Sequence, residues 1–151
     1  MTTPSSAPAF RERLAPGPLL FVALLLLVPA VTLVMTPLNA ALALPVAVAV
    51  YAAIAVSLFA LAPIVTVGDG ALAAGQARIP VAQLGEVEIL DAEALRAAIG
   101  PGLDARAYLM VRGYIHSAVR IAVTDPSDPA PYWVVTTRKP QALQAAIEAE
   151  R

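Results

Sequence analysis

The chain has no cysteine and a single histidine, His116. Without cysteine there are no disulfides, no thiolate metal sites and no cysteine nucleophile. One histidine cannot build a histidine-rich metal centre. Charge is scarce as well. Charged residues make up 14% of the chain, against about 25% in ordinary soluble domains. The net charge is −1, so no overall positive field draws in nucleic acid, which we exclude as a partner class.

The scarcity is uneven. From Leu14 to Gly68 there is no Asp, Glu, Lys, Arg or His, whereas 18 of the 21 charged residues lie between Asp69 and Arg151. The uncharged stretch opens on Leu19-Leu20-Phe21-Val22-Ala23-Leu24-Leu25-Leu26-Leu27-Val28 and continues in a second apolar run, Leu42 to Leu61. About 20 apolar residues carry an α-helix across a hydrocarbon core roughly 30 Å thick. The expectation is a transmembrane hairpin over residues 17–63, with helices at about 18–35 and 41–62 and a break at Thr36-Pro37-Leu38-Asn39. Pro29 should bend the first helix by removing a backbone hydrogen bond. Ala49, Ala53 and Ser57, spaced by four, form a small-residue stripe of the kind that lets helices approach closely. Neither helix holds an ionisable residue, which argues against an ion path through them. A cleavable signal peptide, with Leu19 to Val28 as its apolar core and a small-residue site near Ala41-Leu42-Ala43, leaves the second run unexplained. A hairpin buried in a soluble protein needs more surrounding chain than remains.

The first 16 residues are expected to be a disordered cytoplasmic tail. Arg11 and Arg13 flank the first apolar run, and basic flanks favour the cytoplasmic side. With two crossings both termini are cytoplasmic, so the chain reads as a multi-pass protein of the inner or plasma membrane.

Residues 64–151 read as a small cytoplasmic α+β domain. Ile64 to Val67 and Ala71 to Ala74 flank Gly68-Asp69-Gly70 as a hairpin, and Gln76 to Pro80 suggests a third strand. Leu84 to Leu90 alternates apolar and acidic residues. Asp91 is a helix N-cap, and Gly100-Pro101-Gly102 ends the short helix that follows. Ala107 to Val111, Val119 to Thr124 and Tyr132 to Thr137 read as strands, and the last helix spans residues 140–150, with Leu143 and Ile147 on its apolar stripe.

The run Pro131-Tyr132-Trp133-Val134-Val135-Thr136-Thr137-Arg138-Lys139-Pro140 before a C-terminal helix resembles the actinobacterial family catalogued as domain of unknown function 3093. Arg11-Glu12-Arg13, Ile79-Pro80-Val81, Gly85-Glu86-Val87, Leu90-Asp91-Ala92-Glu93-Ala94-Leu95 and Gly100-Pro101-Gly102 are similar to its other segments. The resemblance implies a pleckstrin-homology-like, partly open β-barrel plugged by its C-terminal helix, with helix 92–99 as an insertion. That family has no assigned activity, so the resemblance implies no catalytic residue and no cofactor.

The candidates for binding a partner or an anion are basic and aromatic: Arg112, Tyr114, Arg120, Trp133, Arg138 and Lys139. Arg138 and Lys139 precede Pro140 at a helix start, where backbone N–H groups also favour an anion. Eight basic residues against ten acidic ones after Gly68 make no polybasic signal. His116 and Ser117 are adjacent on an extended segment and point apart. Glu86 and Glu88 share a wet strand face. Asp125 and Asp128 suit local turn chemistry. The expectation is a membrane-anchored, non-enzymatic protein whose domain binds a protein partner or a lipid headgroup. The alternative is an enzyme, or a subunit of one, acting on a membrane substrate through a cleft that gathers Tyr108, Arg112, His116, Asp125 and Arg138.

Overall fold

A computed structural model describes residues 7–151. They divide into two compact units, one spanning Ala15–Ala62 and the other combining residues 7–14 with residues 63–151.

The first unit is helical. Its helices are α1 (Pro18–Leu24), α2 (Leu27–Met35) and α3 (Ala40–Ala60). The single first helix expected from the sequence is interrupted at Leu25 and Leu26. Pro29 offers no N–H to the Leu25 carbonyl, and its ring crowds that group. The chain tightens there: the N–H groups of Leu25, Leu26 and Val28 donate to carbonyls three residues back, at 3.1, 3.2 and 3.0 Å. Asn39 caps α3, its side-chain oxygen accepting from the N–H groups of Ala41 and Leu42. Pro18–Met35 and Ala40–Ala60 are each long and apolar enough to cross a membrane. Their best windows are 0% and 11% buried, so the apolar faces are not spent on a protein core. The hydroxyls of Thr32, Thr36 and Ser57 donate to carbonyls four residues back on their own helices, which satisfies them without water. The expected stripe needs correction. Helices α2 and α3 pack together, but the buried small residues of α3 are Ala43 and Ala47, while Ala49, Ala53 and Ser57 are exposed. A four-residue repeat recurs on several faces of an alanine-rich helix, and spacing alone does not choose among them.

The second unit holds eight strands and two helices. They are β1 (Phe10–Arg13), β2 (Ile64–Gly68), β3 (Ala71–Ala74), β4 (Ala77–Pro80), β5 (Leu84–Leu90), α4 (Ala92–Ile99), β6 (Tyr108–Met110), β7 (Ala118–Val123), β8 (Tyr132–Thr136) and α5 (Pro140–Ala149), with a short 3₁₀ turn, Val81–Gln83, before β5. Two four-stranded sheets form, in the orders β1-β2-β3-β4 and β5-β7-β8-β6. All pairings are antiparallel except β6 with β8. Asp69 and Gly70 both have positive φ, the turn a two-residue hairpin needs to match strand twist.

Strand β1 overturns the expectation of a disordered tail over residues 1–16; residues 1–6 lie outside the described residues. Phe10 is buried and Leu14 fully so, and both join the main core. Two inward apolar side chains on a strand with a free neighbour to pair with give the segment a reason to order. The domain is therefore not residues 64–151 alone. Arg13 stands opposite Ile64, and the Leu14 N–H donates to the Pro63 carbonyl at 2.9 Å. The helical unit is inserted between two hydrogen-bonded neighbours.

Side chains alternate across each strand, so the register assigns the rows. In the first sheet Phe10, Val67, Leu72 and Ile79 form an inward row. They meet Val119, Ile121, Trp133 and Val135 of the second sheet and Leu143 and Ile147 of α5 in one core. The second sheet is also covered on its other side. Leu95 of α4 packs with Leu90, Ala118, Tyr132 and Val134 in a smaller cluster. All five residues of β8 are consequently buried, which explains why Tyr132 to Thr136 lacks alternation.

Candidate functional site

The proposed partner-binding residues do not come together; the described residues spread them over several places. Trp133 is in the core, its ring 4.5 Å from that of Tyr108. The Tyr108 hydroxyl donates to the Ala74 carbonyl at 2.9 Å, and the Tyr114 hydroxyl to the Leu14 carbonyl at 2.6 Å. These two tyrosines tie the second sheet's side of the core to the first sheet's backbone. Arg112 is half-buried, and its backbone N–H donates to the Thr136 hydroxyl at 3.1 Å. Arg120 lies 4.3 Å from the centre of the Tyr132 ring and 4.0 Å from the Glu88 carboxylate. Asp125 accepts from the backbone and hydroxyl of Ser127, which hold its carboxyl below the usual carboxylate range. Asp104 is lowered in the same way by Arg106. His116 is exposed, and the Ser117 hydroxyl donates to the Thr137 carbonyl at 2.6 Å. Among the described residues no group of three or more His, Asp or Glu is arranged to hold a metal.

The segment Thr137-Arg138-Lys139 turns out to be the receiving end of a latch. Glu12 of β1 points inward at the rim of the first sheet. Its carboxylate accepts from the Thr137 hydroxyl and, at 3.1 Å, from the Arg138 N–H. The Thr137 hydroxyl oxygen in turn accepts from the Lys139 N–H at 3.0 Å, at the start of α5. Arg-Glu-Arg and Thr-Arg-Lys-Pro, separated by over a hundred residues, thus meet. Arg138 and Lys139 themselves are exposed.

A different set of residues does share a site. The outward row of the first sheet is Arg11, Thr66, Ala73 and Arg78, directly paired across all four strands. Beside it lie Ile64, Gly68, Ala71 and Gly75. Small side chains between two arginines leave a trough of about 400 Å³. The trough has the Thr66 hydroxyl on its floor, Arg11 and Arg78 at its sides, and Asp69 and Pro8 at its hairpin end. Gly68 matters here because a β-carbon on it would stand 3.0 Å from the Pro8 backbone. Arg11 and Arg78 are exposed, and no ion pair engages them among the described residues. A surface of this kind accepts an anion by charge-assisted hydrogen bonds.

Sequence reasoning missed this set. Arg11 read only as a membrane flank and Arg78 only as part of a third strand. The available signal was the scarcity of large side chains in Ala71 to Ala77, which marks a strand face with room above it. What no local pattern supplied was β1, without which Arg11 has no place in the row.

No curated protein matches the chain, and no solved structure matches it. Residues 9–147 match a family described as protein of unknown function (DUF3093). That span takes in the latch, both sheets and most of α5, and the chain belongs to this family.

Proposed function

We propose that this chain is a membrane-anchored, non-enzymatic binding module. The helical hairpin crosses the bilayer twice and holds a pleckstrin-homology-like, partly open barrel at the cytoplasmic surface, where it binds a protein partner or a lipid headgroup. The observation that carries the reading is the insertion of the hairpin between β1 and β2. Two hydrogen-bonded strand ends, Leu14 and Pro63, are the points of departure and return, so the apolar chain leaves and comes back on one side. That requires an even number of crossings, and two spanning-length helices supply it. Arg11 and Arg13 at the point of departure favour the cytoplasmic side. The mechanism is tethering, which raises the local concentration of whatever the domain holds. The barrel description is supported by two sheets closing on one core with α5 packed against β1, β2, β5 and β7.

The test is topological. A cytoplasm-dependent reporter fused after Arg151 should be active, and a cysteine placed at Leu38 should react with an impermeant thiol reagent from outside. The chain should need detergent for extraction. An outside C-terminus, or a protein that stays in solution without detergent, defeats the proposal.

A further inference from the structure

We infer that the trough bounded by Arg11 and Arg78 is a binding site for the phosphodiester headgroup of an anionic membrane lipid. The inference rests on the membrane reading above and names the ligand of the domain. Three observations carry it. First, the two arginines are brought to one trough by strand register, Arg11 to Thr66 to Ala73 to Arg78, and the trough's volume of about 400 Å³ is at the lower end for small-molecule sites. Secondly, the lining charge is that of two arginines against Asp69, a net +1. It matches the single negative charge of a phosphodiester better than the near-double charge of a phosphomonoester. Guanidinium groups take phosphate oxygens in a planar, two-bond fashion, and the Thr66 hydroxyl and small floor residues leave room for the polar group beyond the phosphate. Thirdly, the site is close along the chain to the apolar helices. Arg11 is one same-face step, about 7 Å, from Arg13, which is paired with Ile64 at the end of β1 and β2 where the hairpin departs. A lipid phosphate is the anion present in excess at that position.

The competing surfaces are weaker. Arg120, the cation of the other sheet's outer face, is already beside Glu88 and over Tyr132. The exposed Ala49-Ala53-Ser57 stripe carries no ligand-directed feature.

The full chain is incorporated in nanodiscs of phosphatidylcholine, and incorporation is scored first, so that failure of the membrane reading shows at that step and not as lost binding. Dihexanoyl phosphatidylglycerol, dihexanoyl phosphatidylcholine, glycerophosphoglycerol and inorganic phosphate are then titrated by calorimetry. Phosphatidylglycerol should bind saturably and phosphatidylcholine should not. The soluble headgroup should bind more weakly at the same site, and binding should weaken as salt is raised. The double variant Arg11→Gln, Arg78→Gln should lose at least tenfold in affinity with an unchanged melting temperature. Arg120→Gln should bind as the parent does. Equal binding of the two lipids, or unaltered affinity in the folded double variant, overturns the proposal. Inorganic phosphate binding as tightly as phosphatidylglycerol would show a free-anion site and reject the lipid. A protein retained only by the parent trough, with no lipid preference, would also reject it. Should the double variant fail to fold, the salt dependence and lipid preference of the parent decide the matter.

Discussion

The outer faces of the two sheets began from similar material and ended differently. Each is a strand face that carries arginine, on the two edge strands of the first sheet and on an inner strand of the second. On the second sheet α4 covers one part, and Arg120 lies over Tyr132 beside Glu88 on another. On the first sheet no helix of the domain covers the outward row among the described residues, and Arg11 and Arg78 flank alanine, threonine and glycine. The inner faces, by contrast, are treated alike and share one core. The difference is therefore one of covering. The inserted helix converts one outer face into a second, smaller core, and the face without such a helix keeps its polar row open. An open face on a small domain has either to be inert or to be met by something else.

The comparison can be broken most severely at β1, the edge strand of the first sheet. A chain beginning at Ile64 lacks Phe10, Glu12 and Leu14. It should give no cooperative unfolding transition, whereas residues 7–14 joined by a short linker to Pro63 should restore one. The single change Leu14→Ala should cost roughly 2–5 kcal/mol, as for other fully buried leucines, measured by denaturant titration of that linked domain. Next in size is the covered face. Leu95→Ala should cost about 2 kcal/mol, and the amides of Leu90, Ala118 and Val134 should lose exchange protection while those of β2 and β3 keep theirs. Smaller still is the latch. Thr137→Val leaves the Glu12 carboxylate short of one donor and should cost about 1–2 kcal/mol, with the loss confined to β1 and the start of α5 in hydrogen exchange.

On the open face the effect on stability should nearly vanish. Arg78→Gln should change it by no more than about 0.5 kcal/mol, and Arg120→Gln on the other face by less than about 1 kcal/mol, since its ion pair is exposed. The smallest effect is acid-dependent. The carboxyl of Asp125 titrates below its ordinary value in the folded chain because Ser127 donates to its charged form. A lowered folded value means the contribution is complete above the unfolded value and disappears as pH falls through the lower one. The amide resonance of Ser127 should shift only at a pH below the ordinary aspartate range, while that of Val134 stays put.

Much of this fold was written locally. Asp69-Gly70 announces its turn, Asp91 its cap, Pro140 the start of α5, and Tyr132 to Thr136 its strand, because each depends on neighbours within a few residues. What was illegible depends on partners far along the chain. Nothing near Phe10-Arg11-Glu12-Arg13 signals that it pairs with Ile64 to Val67, since its apolar content is one side chain in four and its partner lies beyond three helices. The parallel pairing of β6 with β8 was hidden for the same reason, as was the split at Leu25, where proline acted one turn before itself. The candidate site followed suit. Residue type alone pointed to Arg112, Trp133 and Arg138, which the fold uses in or beside its packing, and passed over Arg11 and Arg78, which register alone brings together.

The pairing of β1 with β2 also fixes an order of events in the making of the protein. β1 leaves the ribosome before the rest of its sheet, and its strand neighbour among the described residues is synthesised after the whole of Ala15–Ala62. Until the helical unit has been made, Phe10 and Leu14 have no β2 to pack against, and the long loop closure between them and β2 must be met late. The domain's completion thus waits on the whole of the helical unit. A chain in which Ile64 to Gly68 failed to return to β1 would leave the edge of the first sheet unpaired and Phe10 and Leu14 open to proteolysis.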